Sequence, residues 1–148
     1  MKETNRMRLE FPSRSANETF ARNAVACFAA QLDPTLDELG DIKTAVSEAV
    51  TNCIVHAYPD CIGNVVLRAR LFSDNSIEIT VTDRGCGIAD VEQARTPMFT
   101  TGGDDRSGMG FTIMESFMDK LKVKSREGHG TTVTMRKVIS MRPGKSRK

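Results

Sequence analysis

Five short segments of this 148-residue chain alternate apolar and polar residues, and all five place the apolar ones at odd positions. They are Met7-Leu9-Phe11, Val65-Leu67-Ala69-Leu71, Ile77-Ile79-Val81, Leu121-Val123 and Val133-Met135. The even positions between them carry Arg8, Glu10, Arg68, Arg70, Glu78, Thr80, Lys122, Lys124, Thr134 and Arg136. Successive side chains of a strand point to opposite faces, so a strict period of two buries one face and wets the other. The pattern predicts a largely antiparallel sheet. It disfavours a doubly wound parallel sheet, whose strands would be apolar on both faces.

A one-sided sheet needs a cover, and three stretches have helical periodicity. Residues 16–32 carry Phe20, Ala24, Cys27, Phe28 and Leu32 along one side. Asp33-Pro34 then reads as an N-cap followed by proline at the first helical position. The strongest helix follows, with Ile42, Ala45, Val46, Ala49, Val50, Cys53, Ile54 and Ala57 repeating at three and four. A third helix runs over about 110–118. With no internal repeat or low-complexity tract, the sequence predicts a single α+β domain over residues 1–140. It is a two-layer α/β sandwich, its mixed sheet mostly antiparallel and its helices on one face. A basic, flexible tail occupies 141–148, with Arg142, Lys145, Arg147 and Lys148 as a solvated end.

A net charge of +2 is too small to argue for nucleic acid or a membrane surface. The first residues have no apolar core of signal-peptide length, and no segment approaches the roughly 20 apolar residues of a membrane span. Cys27, Cys53, Cys61 and Cys86 show no C-x-x-C spacing and have only two histidines to join them. Free thiols in a reducing, cytoplasmic setting are expected rather than zinc.

Four places carry chemistry. Glu48 and Asn52, four apart on the central helix, project from one side at the margin of its apolar face. The amide oxygen can ligate Mg²⁺, and the carboxylate can take a proton from an attacking hydroxyl. Solvated helix residues are the plainer reading of the pair. Asp83 continues the odd parity of Ile77, Ile79 and Val81, so its carboxylate points inward, where it needs a partner. Gly85 and Gly87 follow at once. An adenine amino group would satisfy that carboxylate; an Asp-capped glycine turn is the alternative.

The third place is the loop from Thr100 and Thr101 through Gly102, Gly103, Arg106, Ser107, Gly108 and Met109 to Gly110. Glycines entering a helix present free N–H groups and the positive end of its dipole to an anion, with the Arg106 fork beside them. Residues 100–108 can also close as a lid, or serve only as a flexible connector. No Gly-Lys-Ser/Thr follows, so this is not a P-loop. Fourth, Thr131 after Gly130 shares the buried parity of Val133 and Met135, so its hydroxyl can reach the pocket of Asp83. His129 reads as an exposed turn residue and His56 as a half-buried group at the helix end.

In this order the four elements resemble the boxes of the GHKL, or Bergerat-fold, ATPases, the family of gyrase, histidine kinases and MutL. Glu48-x-x-x-Asn52 matches the N box and Asp83-x-Gly85-x-Gly87 the first glycine box. Ser107-Gly108-Met109-Gly110 matches the second, and Gly130-Thr131 the closing threonine motif. Gln31-Leu32-Asp33-Pro34-Thr35, Glu48-Ala49-Val50-Thr51-Asn52 and the run from Arg106 to Glu115 narrow the likeness to the anti-sigma-F branch, over nearly all of 7–138. The resemblance implies a homodimeric serine kinase. It would hold sigma factor F of sporulation inactive and use Mg²⁺-ATP to phosphorylate a serine of an anti-anti-sigma partner, leaving ADP.

The same resemblance implies roles. Glu48 would be the general base, Asn52 the Mg²⁺ ligand and Asp83 the adenine selector with Thr131 beside it. Gly85, Gly87, Thr100, Thr101, Ser107, Met109 and the amides of Gly108 and Gly110 would contact nucleotide, with Arg106 near the γ-phosphate. Arg22 matches a partner-contact arginine, and its place opposite the Phe20-Ala24-Cys27-Phe28 side predicts exposure. Two positions depart from the family. Thr100 to Asp105 replaces a Lys-Pro pair and longer acidic residues, and Ala57 stands where glycine often follows the histidine. Three functions stay open: a serine kinase (of sporulation or a related stress-response anti-sigma kinase), a nucleotide-gated module that only sequesters a sigma factor, and a detached histidine-kinase catalytic domain. A carboxylate beside the γ-phosphate favours the first over the second, and the lack of room for a phosphoacceptor helix pair disfavours the third.

Overall fold

A computed structural model describes residues 1–95 and 110–141 of the chain. The expected nucleotide contacts at Thr100, Thr101, Arg106, Ser107, Gly108 and Met109, with the lid and positions 142–148 of the tail, lie outside the described residues. Five strands form one sheet: β1 (Glu3–Pro12), β2 (Asn64–Phe72), β3 (Ser76–Asp83), β4 (Lys120–Arg126) and β5 (Gly130–Val138). Their order is β1-β2-β3-β5-β4, and all four pairings are antiparallel. Beyond an irregularity between Glu3 and Asn5, each pairing joins odd positions to odd, as in Leu9↔Leu67, Leu67↔Val81, Val81↔Val133 and Val123↔Val133. The odd residues therefore form one continuous apolar face, with Val65, Leu67, Ala69, Ile77, Ile79 and Met135 fully buried.

The even positions carry the wet face. Arg70 bonds Glu78 at 2.5 Å across the β2–β3 pair. Phe72, an even residue that is nonetheless buried, lies under the guanidinium groups of Arg70 and Arg136, 5.0 and 5.2 Å from its ring centre. Cation–π contact accounts for the burial of this ring on the polar side.

Helices α1 (Ala16–Ala29), α2 (Leu36–Asn52) and α4 (Gly110–Phe117) cover the apolar face, and a short α3 (Val91–Ala94) lies beside β4. The start of α2 differs from the reading of Asp33-Pro34. Asp33 sits in the left-handed region at φ 54° and closes a 3₁₀ turn over Ala30–Leu32, and the N-cap is Thr35. Thr35 Oγ1 accepts from the Glu38 amide at 3.1 Å, while Glu38 accepts from the Thr35 amide at 2.9 Å. This reciprocal box satisfies two backbone donors, where an aspartate cap at position 33 would satisfy one. Glu38 also accepts from the Ser140 amide at 2.9 Å, fastening the end of β5 to α2. Burial would raise the Glu38 carboxyl, but the hydrogen bonds from Thr35 and Ser140 outweigh it and hold it below its usual value.

The buried side of α1 is also corrected. Ala21, Val25, Phe28, Ala29 and Leu32 face inward, whereas Phe20 is 54% exposed and Cys27 is exposed. The helix has two apolar stripes sharing Phe28, and small Ala21 and Ala29 allow close approach to α2. Arg22 is accordingly half-buried, not fully exposed, at 33% of its side-chain surface. Its Nε lies 3.6 Å from Glu18 Oε2 one turn earlier, and neither atom has a hydrogen-bond partner among the described residues.

Candidate functional site

Between α2 and the ends of β3 and β5 lies a cavity of about 390 Å³. Its walls are largely apolar, from Ala49, Val81, Ile88, Phe111 and Val133, with Asn52, Asp83 and Thr131 as polar groups among them. A largely apolar cavity with a few convergent polar groups is the usual form of a small-molecule site.

Asp83 is placed by β3, whose alternation turns it inward, and it is 7% exposed. Its Oδ1 accepts from the Gly85 amide at 2.9 Å and the Thr131 amide at 3.2 Å. Its Oδ2 accepts from the Cys53 thiol at 3.6 Å. Burial pushes the Asp83 carboxyl above its usual value, against the pull of the Gly85, Cys53 and Thr131 hydrogen bonds. Burial and the neighbouring Asp83 charge push the Cys53 thiol up as well. Thr131 stands directly across from Asp83 in the β3–β5 register, and both line the cavity.

The glycine turn after Asp83 is pinned to the end of the central helix. Past Asn52 the helix widens into one π turn, Cys53–Ala57, closed by the Tyr58 amide on the Cys53 carbonyl at 3.1 Å. The Cys86 amide donates to the Ala57 carbonyl at 3.0 Å, and the Cys86 thiol to the His56 carbonyl at 3.0 Å. Tyr58 braces the same turn. Its hydroxyl accepts from the Arg84 amide at 2.7 Å and donates to the Asn64 carbonyl at 2.8 Å.

Gly85 lies so close to this helix end that a Cβ would sit inside van der Waals contact of the Ala57 carbonyl oxygen. Gly87 has φ 74° and a similar conflict with the Arg126 carbonyl. Gly85→Ala should therefore lower stability by roughly 1–3 kcal/mol through overpacking. Thermal unfolding checks this, and an unchanged midpoint would remove the close-approach argument.

Glu48 and Asn52 do converge. A Cβ on Gly110 would stand 3.3 Å from both Asn52 Oδ1 and Glu48 Oε1, so the two oxygens meet at the N-terminus of α4. That terminus offers N–H groups with no partner inside the helix, and the positive end of its dipole, beside a carboxylate and an amide. Asn52 lines the cavity, and Glu48 stands next to it on the α4 side. α3 supplies a further wall through Gln93 and Ala94, and Arg95 ties it to α4 by an Nε–Glu115 Oε1 bond of 2.9 Å.

The described site residues named from sequence are thus gathered about one cavity, Arg22 excepted. Four contributors were not anticipated there: Cys53 and Cys86, Tyr58 as a brace and Ser125 behind Thr131. Ser125 continues the odd parity of Leu121 and Val123, which is the signal that finds it.

Residues 11–137 match the model of the histidine kinase-like ATPase domain. The chain is 58% identical over 140 residues to the anti-sigma F factor of Caldanaerobacter subterraneus subsp. tengcongensis, covering 94% of this chain and 97% of that one. Against the anti-sigma F factor of Geobacillus kaustophilus it is 53% identical over 137 residues, covering 92% and 94%. In structure it resembles the RsbU and RsbW domains of a Mycobacterium tuberculosis protein, with a TM-score of 0.69 at 20% identity over 94% of this chain and 34% of that one. The histidine kinase domain of the Erythrobacter litoralis blue-light activated kinase gives 0.57 at 22% identity over 82% and 60%. Those two likenesses speak to fold alone, and the fold they share is the α+β sandwich described above. The identities over nearly full length, with the matched domain model, set the affiliation: the chain belongs to the histidine kinase-like ATPase domain family and, within it, to the anti-sigma F factors.

Proposed function

We propose that this domain binds Mg²⁺-ATP, holds the sporulation sigma factor F inactive, and phosphorylates a serine of an anti-anti-sigma partner. The observation that carries the reading is the meeting of Glu48, Asn52 and the α4 N-terminus at one end of a cavity that also holds Asp83 and Thr131. The cavity fits an adenine nucleotide. Asp83 is a buried acceptor with no cation beside it among the described residues, suited to the 6-amino group, and apolar walls suit the ring. The α4 amides suit phosphates. Mg²⁺ would neutralise the phosphate oxygens, and Asn52 Oδ1 would be its protein ligand.

Glu48 takes the proton from the partner's serine hydroxyl while that oxygen bonds to the γ-phosphorus. The bond from the γ-phosphorus to the β–γ bridging oxygen breaks, and ADP leaves with the bridging oxygen. Thr100, Thr101, Ser107, Gly108 and Met109 are proposed as further nucleotide contacts, with Arg106 on the γ-phosphate. Arg22 is proposed as a partner contact, its Glu18 pairing exchanged for an acidic group of the partner, and a homodimer as the working unit. No helix among the described residues is long and apolar enough to cross a membrane; the site of action is proposed to be cytoplasmic.

The test is transfer of radiolabelled phosphate from Mg²⁺-ATP to a purified anti-anti-sigma protein, with sigma-factor binding followed in parallel. Transfer to one serine supports the kinase. ATP and sigma binding without transfer would replace it by a nucleotide-gated sequestering module.

A further inference from the structure

A row of polar side chains crosses the apolar face of the sheet at one end. The register sets Asp83 of β3 opposite Thr131 of β5, and Thr131 opposite Ser125 of β4. Asp83 and Thr131 line the cavity, and Ser125 stands behind them. Ser125 Oγ lies 2.7 Å from the Ile88 amide nitrogen, 2.7 Å from Thr131 Oγ1 and 3.0 Å from the Gly130 carbonyl oxygen.

Only one assignment of protons satisfies all three of these contacts at once. A serine hydroxyl has one proton to donate and two lone pairs to accept with. The Ile88 N–H can only donate, and the Gly130 carbonyl can only accept. The Ser125 proton therefore goes to Gly130 and one lone pair to Ile88, which leaves one lone pair for Thr131. Thr131 must donate to it. With its only proton turned back into the sheet, Thr131 Oγ1 presents nothing but lone pairs to the cavity. The Asp83 carboxylate beside it is also an acceptor and already orders the Gly85 and Thr131 amides.

We infer that Ser125 is a positioning residue for base selection: it locks the Thr131 hydroxyl as an acceptor, so the cavity admits a purine with an amino group at C6 and rejects one with an oxo group. A 6-oxo purine would bring its own lone pairs against two acceptors, and a buried acceptor left without a donor is costly. The inference rests on reading the cavity as a nucleotide site. Specificity of this kind is set by repulsion as much as by attraction. It is also indirect, since Ser125 acts only through the rotor of its neighbour.

The experiment measures the affinities of ATP and inosine triphosphate, which differ in the 6-substituent and in the N1 proton that accompanies the oxo form, by titration calorimetry on the full chain. In the unaltered protein ATP is preferred. Ser125→Ala frees the Thr131 proton to rotate into the cavity as a donor, and the preference for ATP falls by roughly tenfold, the worth of about one hydrogen bond. Ser125→Thr keeps the hydroxyl and restores the preference. In a Thr131→Val background, Ser125→Ala leaves the ratio where it was. General loosening of the fold would weaken both nucleotides alike without moving their ratio. If Ser125→Ala fails to fold, Ser125→Cys, a weak donor and acceptor, takes its place with the same expectation. An unchanged ratio in a variant that still binds ATP overturns the role of Ser125. Absence of ATP binding in the unaltered protein overturns the nucleotide-site reading instead.

Discussion

With Glu48 replaced by alanine or by glutamine, phosphate transfer to the anti-anti-sigma protein is expected to fall by roughly 10²–10⁴-fold, the usual worth of a positioned general base. ATP and sigma-factor binding should both persist. The two variants test different things. Alanine removes the side chain, whereas glutamine keeps its length and its reach toward Gly110 but cannot take a proton. A general base predicts nearly equal losses in both. A side chain that merely positions α4 predicts that glutamine retains most of the rate. Single-turnover transfer of labelled phosphate separates these cases, because it reads the chemical step apart from product release. A loss of less than about threefold in the glutamine variant would sink the proton-acceptor role.

Asp83→Asn is expected to weaken ATP binding by roughly 10–100-fold, the range for a hydrogen bond to a charged acceptor. The same change should leave the empty domain at least as stable. Asparagine keeps an oxygen for the Gly85 and Thr131 amides, and it removes a charge that burial disfavours. The sign of the pH dependence follows. The folded-state value of Asp83 lies above its ordinary one, so the folded protein holds this proton more readily than the unfolded chain does. The cost of the charge is complete above the folded value and is relieved as pH falls through it. The stability advantage of the asparagine variant should therefore be largest near neutral pH and close in mild acid, just above the usual carboxylate range. ATP affinity of the unaltered protein should decline over the same window, as the acceptor gains a proton. Thermal unfolding of both proteins across that range is decisive: a variant less stable at neutral pH would show that the carboxylate is a net structural support.

How far the sequence reaches depends on whether a feature is local. The parity of odd positions carried the sheet, because a period of two is imposed by the strand itself. It also turned Asp83 and Thr131 to one side before any pairing was known. The α2 start was misjudged although Thr35-x-x-Glu38 is a complete capping signature, since Asp33-Pro34 offers a competing local signal. Glu38 gains further bonds from Ser140, a hundred residues away, and no local pattern contains that weight. The buried side of α1 was undecidable on periodicity, because Phe20-Ala24-Cys27 and Ala21-Val25-Ala29 are both apolar stripes. Only the neighbour α2 chooses between them. Ser125 was within reach: centring the β4–β5 hairpin on Gly128 sets it against Thr131. The π turn was not, because its hydrogen-bond pattern depends on what the helix end must meet.

That π turn bears on which substitutions the site can absorb. Of the bonds that join helix end to glycine turn, one runs wholly between main chains, from the amide of Cys86 to the carbonyl of Ala57. No side chain between Cys53 and Tyr58 takes part in it, so its strength is independent of what residues 54–57 happen to be. The alanine at 57 leaves this link intact. Drift in sequence along that turn is buffered by the backbone, and the constraint passes instead to the facing position, where Gly85 has no room for even a methyl group.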